Sequence, residues 1–237
     1  MWLALWLASA QAADACTYVG FADVTAPAAP AVIVLGERHG FQPDLSRASK
    51  VVHGLAERAP VRVALEAVHR KYQGVLDAFD HGQVDASDLP SKLEWKDSWG
   101  FAFRPYAPLI EAGHDLDRVT VIGAGVDLGP KPDDVEVSLP PRYIDLLRPG
   151  MGEHPVPIEQ EGTFLQAMAW RDYAIASAAL KDWDGTGYVV IVTGRGHVEG
   201  GKGVAWQAER LTQAPVASFV LKPGKEPPCN PGDKLWR

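Results

Sequence analysis

The sequence predicts one α/β domain: a mainly parallel β-sheet flanked by helices, with a long Pro/Gly-rich excursion. Short runs of β-branched residues recur along the chain, and segments with apolar residues at helical spacing lie between them. The length of 237 residues suits a single domain with one hydrophobic core. With 46% hydrophobic and 22% charged residues, the composition is that of a soluble globular protein.

Five short runs rich in β-branched residues are predicted to be strands buried on both faces. They are Ala31 to Leu35, Val61 to Leu65, Val119 to Gly123, Tyr188 to Thr193 and Val216 to Leu221. Because strands that alternate with helices are joined by right-handed crossovers, the five runs predict a mainly parallel sheet.

Helices are predicted between these strands from apolar residues that fall on one helical face. One such face precedes the second strand and consists of Leu45, Ala48, Val52, Leu55 and Ala56. A longer one precedes the fourth strand and consists of Phe164, Leu165, Met168, Tyr173 and Ile175. A further helix is expected to start near Val204, after the glycine-rich stretch 200–203.

Two segments do not follow this alternation. The stretch from Gly123 to Pro157 is rich in Pro and Gly and is predicted to be a long loop within the same domain. The segment from Glu94 to Tyr106 is dense in aromatic residues. Its rings are expected either to pack in the core or to form a face on which a ligand stacks.

The two ends of the chain suggest export. Residues 1–15 combine a short apolar run with small-residue cleavage sites, as in an export signal, and residues 16–237 then form the mature domain. The alternative is a buried N-terminal helix or strand. Cys16 and Cys229 lie near opposite ends, so a disulfide is expected in an oxidising compartment. Lipid attachment at Cys16 is the second interpretation, since Ala13-Asp14-Ala15 is a poor lipoprotein box.

The charge and hydropathy exclude two classes of protein. A formal net charge of −7 and a pI near 5.5 argue against general binding to nucleic acid, which requires a basic surface. No apolar run approaches the roughly 18 to 20 residues that span a bilayer, so no transmembrane span is expected.

Polar residues follow the predicted strands at their carboxyl ends, which meet at one edge of a parallel sheet. They are Glu37, Arg38 and His39 after the first strand, Glu66 in the second, Asp127 after the third, and Arg195, His197 and Glu199 after the fourth. Both histidines close a G-x-x-H turn, GERH or GRGH. We therefore expect the carboxylates and imidazoles to converge on one site.

This set of side chains is suited to a divalent transition metal ion. Imidazole and carboxylate are ligands for such metals, so Glu37, His39, Glu66 and His197 are the predicted metal ligands. A metal-bound water could act as a nucleophile, with Arg195 neutralising the developing oxyanion. The alternative for each histidine taken singly is a hydrogen-bonded loop residue without a ligand.

The order of the sequence blocks resembles a known family. The blocks are VIVLGERH, VALEA, SWGFAFRPYAPLIEAG, VIGAGVD, QAMAWRDYAIA and VVIVTGRGHVEGGKGV. Over roughly residues 31–221 they are similar to the ChaN-like haem-binding uptake proteins of the Tiki superfamily, which is related to the TraB and erythromycin esterase-like proteins. The resemblance implies an exported bacterial protein, periplasmic or associated with the outer membrane, that binds haem or iron and works with an outer-membrane uptake system.

The resemblance also implies particular residues. Relatives that are hydrolases use the two G-x-x-H turns and a glutamate, which correspond here to Glu37, His39, Glu66 and His197. A haem would need an axial ligand and an apolar slot. Tyr106 and Tyr143 are the expected oxygen ligands from exposed loops, and the expected stacking neighbours are Trp99, Phe101 and Phe103. The alternative for each tyrosine is burial with a hydrogen-bonded hydroxyl.

Three functions follow from these observations, and the oligomeric state stays open for all of them. The first is an exported haem-binding or iron-binding protein. The second is a metal-dependent hydrolase, a peptidase or esterase, in which Glu37, His39, Glu66 and His197 hold the ion or activate water beside Arg195. The third is an interaction domain without catalysis.

Overall fold

The computed structural model describes residues 16–126, 131–132, 135–141, 143–145, 157–221 and 233–236. The predicted export signal at residues 1–15, Asp127 and Cys229 lie outside the described residues. Cleavage of a signal and the disulfide between Cys16 and Cys229 therefore stay predictions. Most of the Pro/Gly-rich excursion also lies outside these ranges.

The described residues form one parallel sheet of seven strands in the order β1-β7-β6-β2-β5-β3-β4. The strands are β1 Thr17–Val19, β2 Ala31–Glu37, β3 Val61–His69, β4 Val119–Gly125, β5 Tyr188–Gly194, β6 Val216–Leu221 and β7 Lys234–Trp236. The predicted parallel α/β fold is confirmed, and β2 to β6 correspond to the five predicted strands.

Helices connect these strands. They are α1 Phe21–Val24, α2 Gln42–Ala56, α3 Gln73–Asp80, α4 Leu89–Lys92, α5 Trp95–Ser98, α6 Ala107–Asp115, α7 Glu161–Leu180 and α8 Val204–Leu211. Short 3₁₀ turns occur among them at Arg70–Tyr72 and Arg195–His197. The helices predicted before β3, before β5 and near Val204 correspond to α2, α7 and α8.

The central strands are buried on both faces of the sheet, as their continuous apolar runs predict. All seven residues of β2 are buried, and successive side chains point to opposite faces. Ile33 and Leu35 pack in the core that includes residues of α2, α3 and α6. Val32 and Val34 pack in a second core with residues of α7 and α8. The fold is thus a sheet between two helical layers.

The direction of the chain across the sheet reverses at β2. From β2 the chain passes through α2 on one face to β3, whereas from β5 it passes through α8 on the opposite face to β6. The helices that follow β2 and β5 therefore lie on opposite faces of the sheet, although the two strands are neighbours. Such a reversal opens a crevice at the carboxyl ends of the strands, where ligands bind in open α/β sheets.

The described ends of the chain lie side by side. β1 pairs with β7 in the register Thr17 to Lys234, and the amide of Thr17 donates to the carbonyl of Asp233 at 2.9 Å. The buried ring of Trp236 lies 6.1 Å from the ring of Phe21. Among the described helices, none has both the length and the hydropathy needed to cross a bilayer.

Candidate functional site

Glu66 is hydrogen-bonded through both of its oxygens at the carboxyl edge of the sheet. It lies in β3 and is 3% exposed. Its Oε1 accepts from Arg171 Nη2 at 2.7 Å and lies 3.5 Å from His197 Nε2. Its Oε2 accepts from Thr193 Oγ1 at 2.6 Å and from the Gly194 amide at 2.8 Å. Both carboxylate oxygens are therefore satisfied by protein donors.

These partners stabilise the ionised form of Glu66. Burial alone would raise the pKa of this carboxyl group, because desolvation disfavours the charge. The charges of His197 and Arg171, with the hydrogen bonds from Thr193 and Gly194, outweigh burial and lower the pKa to about 2. Glu66 is consequently a fixed negative charge at neutral pH.

His197 is enclosed between two carboxylates. Its Nδ1 lies 2.6 Å from Oδ1 of Asp172, a residue of α7 with no exposed surface. Burial alone would lower the pKa of His197, but the charges of Glu66 and Asp172 raise it. The other oxygen of Asp172 accepts a hydrogen bond from the hydroxyl of Tyr143. Tyr143, Asp172 and His197 thus form a hydrogen-bonded chain that ends at Glu66.

His39 takes part in a second chain of the same kind. Its Nδ1 lies 2.6 Å from Oε1 of Glu37, a residue that is 2% exposed. The same oxygen accepts from the hydroxyl of Tyr106 at 3.1 Å, and that hydroxyl accepts from the amide of Gly40 at 3.0 Å. When Glu37 is ionised, Nδ1 of His39 is the donor, and Nε2 is then free to accept a proton or bind a metal.

The two imidazoles differ in their surroundings. The side chain of His39 is 30% exposed, whereas that of His197 is 8% exposed. Burial raises the pKa of Glu37, although hydrogen bonds from His39 and Tyr106 oppose this shift, and the charge of Glu66 adds to it. His39 is therefore the imidazole that an external ligand can reach, and His197 belongs to the buried support.

A buried ion pair fixes the turn that carries His39. Asp44 in the first turn of α2 has no exposed surface. Its Oδ2 accepts from the amide of Arg38 at 3.1 Å and from Nε at 3.0 Å, while Oδ1 accepts from Nη2 at 3.3 Å. Since Arg38 adjoins His39, these three bonds hold the backbone from which the imidazole projects.

The two G-x-x-H turns pack closely against each other because both begin with glycine. A Cβ on Gly36 would lie 2.9 Å from Cβ of Val198, and one on Gly194 would lie 2.7 Å from Cε1 of His39. The same position on Gly194 is 3.7 Å from Oε2 of Glu66. The absence of both side chains thus lets His39 lie over the strand end that binds Glu66.

A cavity of about 550 Å³ opens beside these chains. Its polar and charged lining consists of His39, Glu66, His69, Lys71, Tyr72, Glu94, Asp97, Ser98 and Arg171. Trp99 and Phe101 contribute aromatic surface, and their rings lie 4.6 Å and 5.1 Å from that of His39. This volume is in the range of protein sites for small organic ligands.

The aromatic segment between Glu94 and Tyr106 contains both core residues and residues that line the cavity. Trp95 and Phe103 are core residues whose rings meet edge to face at 5.0 Å, and Trp95 Nε1 donates to the carbonyl of Phe101 at 2.7 Å. Between them, residues 96–102 comprise the rest of α5 and the turn after it, and this rim segment contributes Trp99 and Phe101 to the cavity lining. Of the three expected stacking residues, Phe103 alone is placed away from the cavity lining.

Tyr106 and Tyr143 are not on exposed loops, contrary to expectation. They are 1% and 3% exposed, and both hydroxyls are hydrogen-bonded. Burial, followed by the charge of the neighbouring carboxylate, raises the pKa of each. Their alternative interpretation, a buried tyrosine with a bonded hydroxyl, describes both. Each is the third member of a tyrosine, carboxylate and histidine chain.

Arg195 is not part of the buried cluster. Its side chain is 41% exposed, and Nε lies 3.6 Å from Oε1 of Glu199. The guanidinium in the described lining of the cavity belongs instead to Arg171 of α7, which was not predicted from the sequence. Asp172, its neighbour, was also missed. Asp172 could have been recognised as a charged residue within the buried stripe of α7, which includes Ala169, Ile175, Ala176 and Ala179.

The predicted metal set of Glu37, His39, Glu66 and His197 is divided into two pairs. Glu37 bonds to His39, and Glu66 lies beside His197. Both oxygens of Glu66 are already bonded by protein groups, and no group of three or more metal-type side chains is arranged around a metal position in the described part of the chain. The geometry therefore does not support a bare metal ion held by these four residues.

Comparison with known proteins identifies the family. The family model for haem-binding uptake proteins of the Tiki superfamily, ChaN, matches residues 24–129 and 127–208. The structure of Campylobacter jejuni ChaN with cofacially bound haem matches with a TM-score of 0.65 and 18% identity, covering 83% of each chain.

Two further structures share the fold at lower similarity. The type III effector HopBA1 matches with a TM-score of 0.50 and 13% identity over 81% of this chain and 76% of its own. The toxin effector domain RRSP from Vibrio vulnificus has a TM-score of 0.50 and 12% identity, over 86% of this chain and 36% of its own. No curated protein matches the sequence significantly. Since the family model spans most of the chain, the protein belongs to the ChaN family of haem-binding uptake proteins in the Tiki superfamily.

Proposed function

We propose that this protein binds haem in the cavity beside His39, and that it does so outside the cytoplasm as part of haem or iron uptake. The observation that carries the proposal is the cavity itself. It combines an accessible imidazole, a phenol and aromatic walls in a chain that belongs to a haem-binding family.

The lining residues suit a flat, largely apolar ligand that bears carboxylates. Trp99 and Phe101 offer aromatic surface to a porphyrin face. Arg171 and Lys71 are the cations at the cavity that could pair with propionates. When bound, haem supplies an iron centre that accepts an axial nitrogen or oxygen ligand.

Two side chains of the lining could hold the iron of a bound haem. His39 is accessible, and its Nδ1 is held by Glu37, so that Nε2 would be its ligand atom. Tyr72 lies in the 3₁₀ turn after β3 and donates its hydroxyl to Glu94. These two residues replace Tyr106 and Tyr143 in the proposal, because Tyr106 and Tyr143 do not line the cavity.

Haem titration of the purified apoprotein tests this proposal. We expect a shifted Soret band with saturable binding, and at least a ten-fold weaker affinity for His39→Ala or Tyr72→Phe, whichever supplies the ligand. His53→Ala is the matched control, since His53 is exposed on α2. A wild-type protein that gives no saturable Soret shift would rule out haem binding.

A second candidate function is hydrolysis without a metal ion. The observation that favours it is the Glu37 and His39 pair at the cavity, with the Nδ1 to Oε1 distance of 2.6 Å. A carboxylate that orients an imidazole makes Nε2 a general base for water. Glu66, with both oxygens bonded, is a positioning residue for the Gly194 backbone in this reaction.

An ester and peptide panel distinguishes the two candidates. Hydrolysis that is insensitive to chelator and lost in Glu37→Gln supports the second candidate. Haem binding by a protein with no turnover on the panel supports the first. Turnover that is lost on addition of a chelator would instead support the metal-dependent hydrolase predicted from the sequence.

The location belongs to the same proposal. We expect the exported form to begin after the signal and to carry either a disulfide between Cys16 and Cys229 or a lipid on Cys16. Intact mass measured with and without reductant on protein from its native source distinguishes these forms. An unprocessed N-terminus with two free thiols would contradict export.

A further inference from the structure

Tyr143 reaches the buried cluster from the proline-rich excursion. Its ring is 3% exposed and packs against Ala169 of α7 in a small cluster separate from the two main cores. Its hydroxyl donates to Oδ2 of Asp172. Among the described residues, this hydrogen bond and apolar contacts of Val137 and Tyr143 tie the excursion to α7.

Asp172 connects Tyr143 to His197 through one hydrogen bond on each carboxylate oxygen. Oδ1 of Asp172 lies 2.6 Å from Nδ1 of His197, and both side chains are buried. A carboxylate that accepts one donor on each oxygen has a defined orientation. Loss of the Tyr143 donor leaves Oδ2 without this hydrogen bond in a site with no exposed surface, a change that costs free energy.

His197 in turn lies next to Glu66, a residue of the cavity lining. Its Nε2 lies 3.5 Å from Oε1 of Glu66, and this oxygen also accepts from Arg171 Nη2 at 2.7 Å. Glu66 and Arg171 both line the cavity. A rotation of the imidazole would therefore change the position of two side chains that line the cavity.

We propose that Tyr143 is a positioning residue that sets the orientation of His197 and, through Glu66 and Arg171, the ligand affinity of the cavity. Tyr143 thereby influences the site although it does not itself line the cavity. The effect on ligand affinity rests on the proposed haem binding, whereas the effect on His197 does not.

The test compares Tyr143→Phe with Tyr173→Phe. Tyr173 is the neighbour of Asp172 on α7, and its ring stacks on Trp170 at 6.0 Å. No hydrogen bond of its hydroxyl occurs among the described residues, so its loss controls for removing a phenol from this region. We expect Tyr143→Phe to weaken haem binding about ten-fold, in the range for outer hydrogen-bond partners, and Tyr173→Phe to leave it unchanged.

A spectroscopic signal separates positioning from a general loss of packing. In protein labelled with ¹⁵N-histidine, the Nδ1 proton of His197 reports the bond to Asp172. We expect this resonance to move in Tyr143→Phe and to stay in place in Tyr173→Phe. Ala169→Val, which crowds the Tyr143 ring without removing a polar group, should move it in the same way. If either variant fails to fold, the other one decides.

The outcomes are distinct. An unchanged His197 resonance, or wild-type affinity in a folded Tyr143→Phe protein, overturns the inference. If the wild-type protein binds no haem, the proposed function fails, and the His197 resonance alone then decides whether Tyr143 positions the cluster.

Discussion

Glu66 balances two buried or half-buried cations, and its charge is therefore needed for folding. The side chains of Glu66 and Arg171 are 2% and 24% exposed, and His197 lies on the same carboxylate oxygen. Glu66→Gln leaves both cations without this counter-charge. Breaking a buried pair in this way costs about 3 kcal/mol, so urea denaturation should show a loss of that size.

Glu94→Gln is the control for this substitution. Glu94 is 64% exposed at the cavity rim, where it lies 4.0 Å from Lys71 Nζ. An exposed pair of this kind contributes about 0.5 kcal/mol. Equal losses for the two variants would show that the Glu66 cluster is solvated and not a buried ion pair.

The low pKa of Glu66 also predicts how stability depends on pH. Its value of about 2 in the folded protein lies below the ordinary 4.5, so the folded state binds this proton less tightly than the unfolded state. The stabilisation is complete above pH 4.5 and is lost as the pH falls toward 2.

Unfolding of wild type and Glu66→Gln as a function of pH measures this contribution. Groups that titrate similarly in both proteins cancel, so the difference in unfolding free energy should shrink between pH 4.5 and 2. A difference that stays constant through this range would mean that Glu66 has an ordinary pKa.

Gly194 provides a way to displace His39 without altering it. A Cβ at this position would lie 2.7 Å and 2.8 Å from Cε1 and Nε2 of the imidazole. The ring is a side chain and can move aside, so we expect Gly194→Ala to weaken haem binding strongly while the fold loses about 1 kcal/mol. Gly196→Ala in the same turn is the control, because a Cβ there has no neighbour within 4 Å. Equal haem affinities for the two variants would show that the position of His39 does not affect haem binding.

At the scale of elements, the edge strand β4 is capped by a side chain. Gln73 Nε2 donates to the carbonyl of Val121 at 3.0 Å, and Oε1 accepts from the amide of Gly123 at 2.9 Å. These two bonds take the place of a neighbouring strand and occupy polar groups that would otherwise pair with another chain.

Gln73→Ala should therefore make the protein more prone to associate through β4. Light scattering at increasing concentration and moderate temperature is the measurement, with Gln83→Ala as a control at an exposed position. If Gln73→Ala scatters no more than the control, the β4 edge is protected by other means.

The sequence predicts the central elements better than the peripheral ones. The continuous apolar run of Ala31 to Leu35 reveals a strand buried on both faces, because both helical layers demand apolar side chains. The strands β1 and β7 have three residues each, too few to show a period. The helices α4 and α5 have four residues each and cannot show a helical stripe either.

The site follows the same pattern. The strand-end rule places Glu37, His39, Glu66 and His197 at one edge, as the structure finds. It cannot find Arg171 and Asp172, since they come from the middle of a helix far along the chain. Nor does it distinguish two ion-paired clusters from one metal site, because the distinction depends on which donors reach Glu66.

At the scale of the whole molecule, the first and last described strands pack against the core. Trp236 in β7 is 6% exposed and belongs to the main hydrophobic cluster. Trp236→Ala should lower the free energy of unfolding by about 3 kcal/mol, as for other buried aromatic truncations. Lys234→Ala in the same strand is exposed and should change stability by no more than about 0.5 kcal/mol. Chemical denaturation of both variants measures these free energies. If Trp236→Ala left the free energy of unfolding unchanged, β7 would not contribute to the stability of the fold.

The rim segment 96–102 and the Glu66 cluster come from different parts of the chain. The base of the rim segment is closed by Trp95 and Phe103, whose rings are in contact at 5.0 Å, while the Glu66 cluster is built from β3, β5 and α7. The aromatic wall of the cavity and the Glu66 cluster are therefore encoded in separate stretches of the gene. We expect substitutions within these seven codons to change the aromatic wall while the residues of the Glu66 cluster are retained.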